Sequence, residues 1–241
     1  EELFYFEDGF NIYSHGLFYG IMLVVMLFSW FLYITIRERQ YIYYLLYVLF
    51  HSAFQAAAHG LTYQYLGPTA VWWHEKSVAL FGSTAIVFSC LFAIEFLSLK
   101  NSKQKHYIYL KAVAGSSAVA AVATLIFPYE IMIQVMLLLS LFMVVGVFVS
   151  GIARWREGDT PADIYTVAWA SFLLGIVLIA LNRMDVIPRN LFTENAMQVG
   201  ASIEVILLLI ALAQRLSLEI KERFRIQDAA LAEHQNANVV L

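Results

Sequence analysis

Three polar side chains, His51, Gln55 and His59, recur every fourth residue inside an otherwise apolar run. At 3.6 residues per turn this spacing lines them along one face of a helix. A second set lies toward the carboxyl end: Asn182 and Arg183, then Glu194 and Gln198 on one face, and Glu204 deeper, below Gly200. Imidazoles can move protons or bind metals, carboxylates accept hydrogen bonds, and a guanidinium holds anions. Histidines eight residues apart stand about 12 Å apart along a helix axis. One ion cannot bridge them, and no metal site is expected. The sequence holds no glycine-rich phosphate loop, no nucleophile elbow and no HExxH helix, so no catalytic residue and no cofactor is assigned. Two readings remain open. The polar groups satisfy one another and fix helix register, or they line an outward-opening small-molecule pocket in which Glu194 or Asp185 is the counter-charge for Arg183.

The elements that must position these groups are membrane helices. Of 241 residues, 61% are apolar and only 14% charged, and the mean hydropathy is +0.70. Soluble domains are about half apolar and about a quarter charged. No basic surface is present for nucleic acid. The single cysteine, Cys90, sits in an apolar run and rules out an intramolecular disulfide. The opening EELFYFEDGF is acidic and aromatic, where a cleavable signal peptide would start with lysine or arginine. It reads as a short exposed lead-in over residues 1–12.

Hydropathy predicts an all-α membrane protein, a bundle of seven transmembrane helices at Tyr13–Ile36, Tyr41–Tyr65, Lys76–Leu99, His106–Phe127, Glu130–Ala153, Ile164–Met184 and Phe192–Arg215. Gly16 and Gly20 have the spacing that permits close helix approach. All four prolines (Pro68, Pro128, Pro161, Pro188) are assigned to connections, which predicts unbroken spans and weighs against the broken helices of secondary transporters. Lysine and arginine favour the cytoplasmic side of short loops. With the amino terminus outside, that side holds Arg37, Arg39, Lys100, Lys103, Lys105, Lys111, Arg154, Arg156, Arg215, Lys221, Arg223 and Arg225, against Lys76, Arg183 and Arg189 outside. The amino terminus is therefore expected outside and the carboxyl terminus inside. Trp72, Trp73, Tyr63 and Tyr65 are expected in the outer aromatic belt, and Tyr41, Tyr43, Tyr44 and Trp155 in the inner one.

The seventh span alone is expected not to stop at the membrane surface: it runs on past Arg215 as LSLEIKERFRIQDAALAEHQ, with no proline or glycine to break it. Leu216, Ile220, Phe224, Gln227 and Leu231 recur at spacings of three and four. This pattern fits either a parallel coiled-coil stalk, which makes a homodimer through the cytoplasmic helix the expected partner, or a solvated amphipathic helix. Gly200, Arg215, Leu216, Ile220 and Phe224 are the positions through which a signal would travel.

From Gly16 to Arg215 the chain resembles the membrane module of the bacterial seven-transmembrane receptors with diverse intracellular signalling modules. The matching stretches are GLFYGIMLVVMLFSWFLYITIRERQYIYYLLY, HGLTYQYL, the Trp72–Trp73 pair and, most specifically, LFTENAMQVGASIEVILLLIALAQR. The resemblance implies a bacterial inner-membrane sensor domain over 13–215. Residues 216–241 would then lead as a cytoplasmic helical linker to an output domain of histidine-kinase or diguanylate-cyclase type, within two-component or cyclic-di-GMP signalling. It implies no ligand, and Gln198, Gly200 and Glu204 carry over as signature positions. The alternative is a membrane transporter or intramembrane enzyme using His51, His59, Arg183 and Glu204.

Overall fold

The computed structural model describes residues 2–61, 71–188 and 190–239. Among them the structure is all-helical. Seven helices have 20 residues or more: α1 (Glu2–Ile36), α2 (Arg39–Ala58), α3 (Val71–Phe96), α4 (Gln104–Ala123), α5 (Tyr129–Trp155), α6 (Pro161–Arg183) and α7 (Ala196–Val239). Two single turns, Leu99–Ser102 and Leu191–Glu194, lie in the connections after α3 and α6. Five helices are long and apolar enough to cross a membrane, within α1, α3, α5, α6 and α7.

The other two, α2 and α4, fall short for reasons written in their side chains. α2 buries Gln40, Tyr41, Tyr44, Tyr47, His51, Ser52 and Gln55. A helix wrapped by protein need not be uniformly apolar, because neighbouring side chains replace lipid as its solvent. α4 dilutes its hydropathy with small residues, and buries Ala114, Ser117, Ala120 and Ala121 where it lies against its neighbours. Each has 20 residues, a length of about 30 Å, which matches the hydrocarbon core of a bilayer.

Sequence neighbours pack side by side and the circuit closes where α1 meets α7; α3 reaches across to touch α2, α4 and α5. The interior is aromatic. Tyr44, Phe92, Phe96, Tyr165 and Trp169 are fully buried, and Phe96 stacks on Tyr165 at 5.3 Å. Tyr41 and Tyr44 are thus not interfacial anchors, as expected from sequence, but core residues with no exposure. Their place on the inward face of α2 outweighs the preference of tyrosine for the headgroup zone. Trp72 and Trp155 are exposed, whereas Tyr63, Tyr65, Pro68 and Arg189 lie outside the described residues. Cys90 is a free, fully buried core residue.

Several boundaries move. α2 stops at Ala58 instead of Tyr65, because Gly60 takes φ +76° and its N–H bonds back to the Ala57 carbonyl, the left-handed helix ending that glycine permits. Pro161 is not in a connection: it opens α6, where its missing N–H costs nothing. The predicted seventh span is also interrupted near its amino-terminal end. Asn190 caps Leu191–Glu194, its side chain accepting from the N–H groups of Phe192 and Thr193, and α7 begins only at Ala196. From there it is one helix of 44 residues, about 66 Å long.

α6 and α7 approach more closely than helices bearing side chains at their contact could. A Cβ on Gly175 would lie 2.7 Å from the Ala196 carbonyl oxygen, and one on Gly200 would lie 2.9 Å from that of Ser171. Both obstacles are backbone and cannot yield. By contrast, a Cβ on Gly16 or Gly20 meets nothing within 4 Å, so that among the described residues this glycine pair faces open space and no close helix contact. Gly200→Leu is therefore expected to destabilise the folded protein by about 1–3 kcal/mol, the usual range for overpacking, while Gly20→Leu stays near neutral. Thermal unfolding in lipid nanodiscs checks the contrast, and equal shifts for both would contradict this account of the α6–α7 contact.

Candidate functional site

The polar residues predicted from sequence separate into two layers. The outer layer is a cleft of about 370 Å³ lined by His15, His59, Ile179, Asn182, Arg183, Glu194 and Asn195. Two of its lining side chains are joined by Gln198, whose Nε2 lies 2.8 Å from His15 Nδ1 and 2.9 Å from His59 Nε2. An amide N–H donates to an imidazole nitrogen that carries no proton, so each ring accepts through the nitrogen that faces Gln198. The two rings stand 4.7 Å apart at 54°. One amide on α7 thus gathers α1 and the end of α2. Its Oε1 is buried without a partner among the described residues.

The wall of this cleft is fixed by a knot of short-range bonds. Asn182 Nδ2 donates to Thr193 Oγ1 at 2.9 Å, which also accepts from the Asn190 N–H at 3.0 Å. The knot pins the end of α6 to the turn before α7 and sets Arg183 and Glu194 at the rim. Arg183 and Glu194 are both exposed and share the cleft, but no ion pair joins them among the described residues. The expected sharing of one helix face by Glu194 and Gln198 does not hold, because Glu194 belongs to the separate turn ahead of Asn195.

The inner layer is dry. Glu204 has no exposure, and the Tyr47 hydroxyl sits 2.8 and 2.9 Å from its two carboxyl oxygens. One turn along the same face of α2, Tyr44 donates to the backbone carbonyl of Val205. Backbone contact between α2 and α7 is sparse, so these two tyrosines span the gap with side chains. His51 and Gln55 are buried beside this layer, each with an Nε2 that has no partner among the described residues. The proposed quartet of His51, His59, Arg183 and Glu204 is therefore not one constellation: His59 and Arg183 belong to the outer cleft, and His51 and Glu204 to the dry layer. Among the described residues, no group of three or more His, Cys, Asp or Glu side chains is placed to hold a metal ion.

At the opposite end of the bundle, Arg215 fastens α7 to the end of α3. Its Nη2 donates to Ser98 Oγ at 2.6 Å and its guanidinium lies 5.3 Å from the centre of the Phe96 ring. Its Nε reaches Glu219 at 3.4 Å. Leu216 packs partly against the core. Beyond it, Ile220 and Phe224 are exposed, and Leu231 lies in a stretch of α7 whose side chains fall outside the description.

Sequence reasoning missed His15, Tyr47 and Thr193. Tyr47 extends the His51–Gln55–His59 stripe by one step of four, a signal that could have found it. Asn190 and Thr193 show the three-residue spacing of a helix cap. His15 carried no such pattern, since its partner is 183 residues away.

An all-helical chain with several apolar, membrane-length helices and polar groups held inside it is a multi-pass membrane protein. The profile of the 7TM diverse intracellular signalling family matches residues 11–215, and the chain belongs to that family, the membrane modules of receptors with diverse intracellular signalling. No curated protein and no solved structure matches it.

The Tyr47–Glu204 contact generates a quantitative expectation. A buried hydrogen bond contributes about 0.5–1.5 kcal/mol net. Tyr47→Phe and Glu204→Gln should each lower stability, and a double-mutant cycle should return a coupling of about 1 kcal/mol or more. Additive losses in chemical unfolding would show that the two groups are neighbours without being partners.

Proposed function

We propose that this chain is the sensor module of a bacterial inner-membrane receptor, and that it carries an external or membrane-borne signal inward through α7 to an output domain of histidine-kinase or diguanylate-cyclase type. In this reading all seven long helices cross the bilayer, with the amino terminus outside. An odd number of crossings puts the carboxyl end of α7 on the cytoplasmic side, which agrees with twelve cationic side chains there against three outside. The sensor domain covers 13–215, residues 1–12 lead into it, and 216–241 form the linker.

One observation carries the reading: α7 is unbroken from Ala196 to Val239. The same rigid rod holds Gln198 at the outer cleft, Glu204 in the dry interior, and Arg215 at the point of exit. A signal that changes how Gln198 or Glu204 is held must act on the rod as a whole, because a continuous helix has few soft torsions with which to absorb a rotation or shift. The outer cleft, lined by ring nitrogens, an arginine and a carboxylate, is the natural receiving end for a small polar ligand. A stimulus there shifts the equilibrium only by as much as it favours one arrangement of α7 over the other.

The exposed Ile220 and Phe224 on the cytoplasmic segment give a second copy of the chain an apolar stripe to meet, which supports a homodimer formed through this helix. Arg215 is the clasp at the membrane boundary. It secures α7 to Ser98 and Phe96, so rotation of the rod must loosen it.

In a chimera with a kinase output domain joined after Leu241, insertion of one to four residues after Arg215 is expected to make output rise and fall with helical phase, since each residue turns a helix by about 100°. Output that is indifferent to phase would overturn transmission by the rod. In the same chimera Arg215→Ala is expected to change basal output more than Arg225→Ala, whose side chain is 83% exposed and reaches nearby Glu222.

A further inference from the structure

A second cavity lies within the bundle, apart from the outer cleft. It has a volume of about 260 Å³ and is walled by Tyr47, His51, Met136, Met143, Phe172 and Met197 among others. These side chains come from α2, α5, α6 and α7, and Gly82 and Ala85 add α3. Five of the seven long helices therefore face one space.

The polar atoms at its edge are already engaged, with one exception. The Tyr47 hydroxyl is held by Glu204. The Ser140 hydroxyl donates to the Leu137 carbonyl at 2.7 Å. His51 lines the cavity and is only 5% exposed, and its Nε2 has no partner among the described residues. A buried water normally makes about three hydrogen bonds, which this wall does not provide. A mostly apolar occupant with one polar group matches the wall better. Either imidazole tautomer leaves Nε2 as a donor or an acceptor, and a hydroxyl answers both. Three methionines add adaptable, polarizable surface that accommodates flat or irregular apolar shapes.

The route in is also indicated. Leu137 lines the cavity and is 57% exposed, so the space reaches the outer face of α5. In a membrane that face meets hydrocarbon, and an occupant would arrive from the lipid. An apolar cavity of about 150 Å³ takes up benzene, so this one has room for a molecule of about ten non-hydrogen atoms.

We infer that this cavity is a binding site for a small lipophilic molecule bearing one hydroxyl, such as a phenol or a medium-chain alcohol, which enters laterally from the bilayer and hydrogen-bonds to His51 Nε2. The inference deepens the sensor reading and rests on it for its consequence. The occupant touches Tyr47, the bridge to Glu204, and Met197, a residue of α7, and so bears on the rod directly.

The test is equilibrium binding of radiolabelled 1-naphthol to the purified chain in lipid nanodiscs, with empty nanodiscs subtracted. Saturable binding is expected, and unlabelled 1-naphthol should displace the label at about fivefold lower concentration than naphthalene, the scale of one neutral hydrogen bond. His51→Leu should abolish that preference while naphthalene still competes. Ala85→Phe, which fills the cavity, should remove saturable binding with thermal unfolding otherwise cooperative. Uptake no greater than in empty discs, equal competition by the two compounds in the unsubstituted protein, or a preference that survives His51→Leu would each overturn the assignment. These results involve no output domain, so their failure is distinct from failure of the phase experiment on α7.

Discussion

A carboxyl group withdrawn from water inside a membrane bundle costs about 2.5–3.5 kcal/mol on insertion scales unless something inside receives it. For Glu204 that receiver is the Tyr47 hydroxyl, and much of the architecture follows from keeping the two together. Tyr47 must sit on the inward face of α2, which draws Tyr44 and His51 inward with it. α7 must present Glu204 at the same depth, which places Gln198 beside His15 of α1 and His59 at the end of α2, and Arg215 at the carboxyl end of α3. Trp169 packs against the Tyr47 ring and Phe92 against that of Tyr44, so that aromatic side chains cover the pair.

The contacts of α7 differ in kind from side to side. Against α6 the fit is backbone on backbone at Gly175 and Gly200, with no room for a methyl group. Against α2 it is made by two tyrosine hydroxyls reaching across a gap. Close-packed backbones move together, because shearing them forfeits dispersion contacts along their whole length. A gap bridged by side chains can change by rotation about single bonds. The α6–α7 pair is thus the stiff unit, and the α2–α7 seam is where the bundle has freedom to rearrange. Both the outer cleft and the inner cavity border that seam.

Much of this was legible beforehand. The number and order of the long helices follow from apolar runs separated by charged turns, and the unbroken passage of α7 follows from the lack of proline or glycine after Arg215. Burial of His51, Gln55, Gln198 and Glu204 follows from polar groups at helical spacing in hydrocarbon. Finer features were not legible. A tyrosine near the end of a span reads equally as an interfacial anchor or as core, and only the packing of α2 against α3 and α7 put Tyr41 and Tyr44 inside. The break at Asn195 depends on a capping side chain outcompeting continuation of the helix by a single turn, a margin too small for composition to reveal.

The sequence by itself determined an all-helical membrane chain, the polar residues that could not face lipid, and a final helix long enough to leave the membrane. These depend on local spacing and on solvent preference, which each residue carries with it. Tertiary structure decided which polar group meets which. Gln198 with His15 and Glu204 with Tyr47 join residues more than 150 positions apart, and Gly175 with Gly200 sets how near two helices come. Partnership of that kind arises only from relative helix placement, because the free energy of a buried hydrogen bond depends on tenths of an ångström that no spacing along the chain encodes.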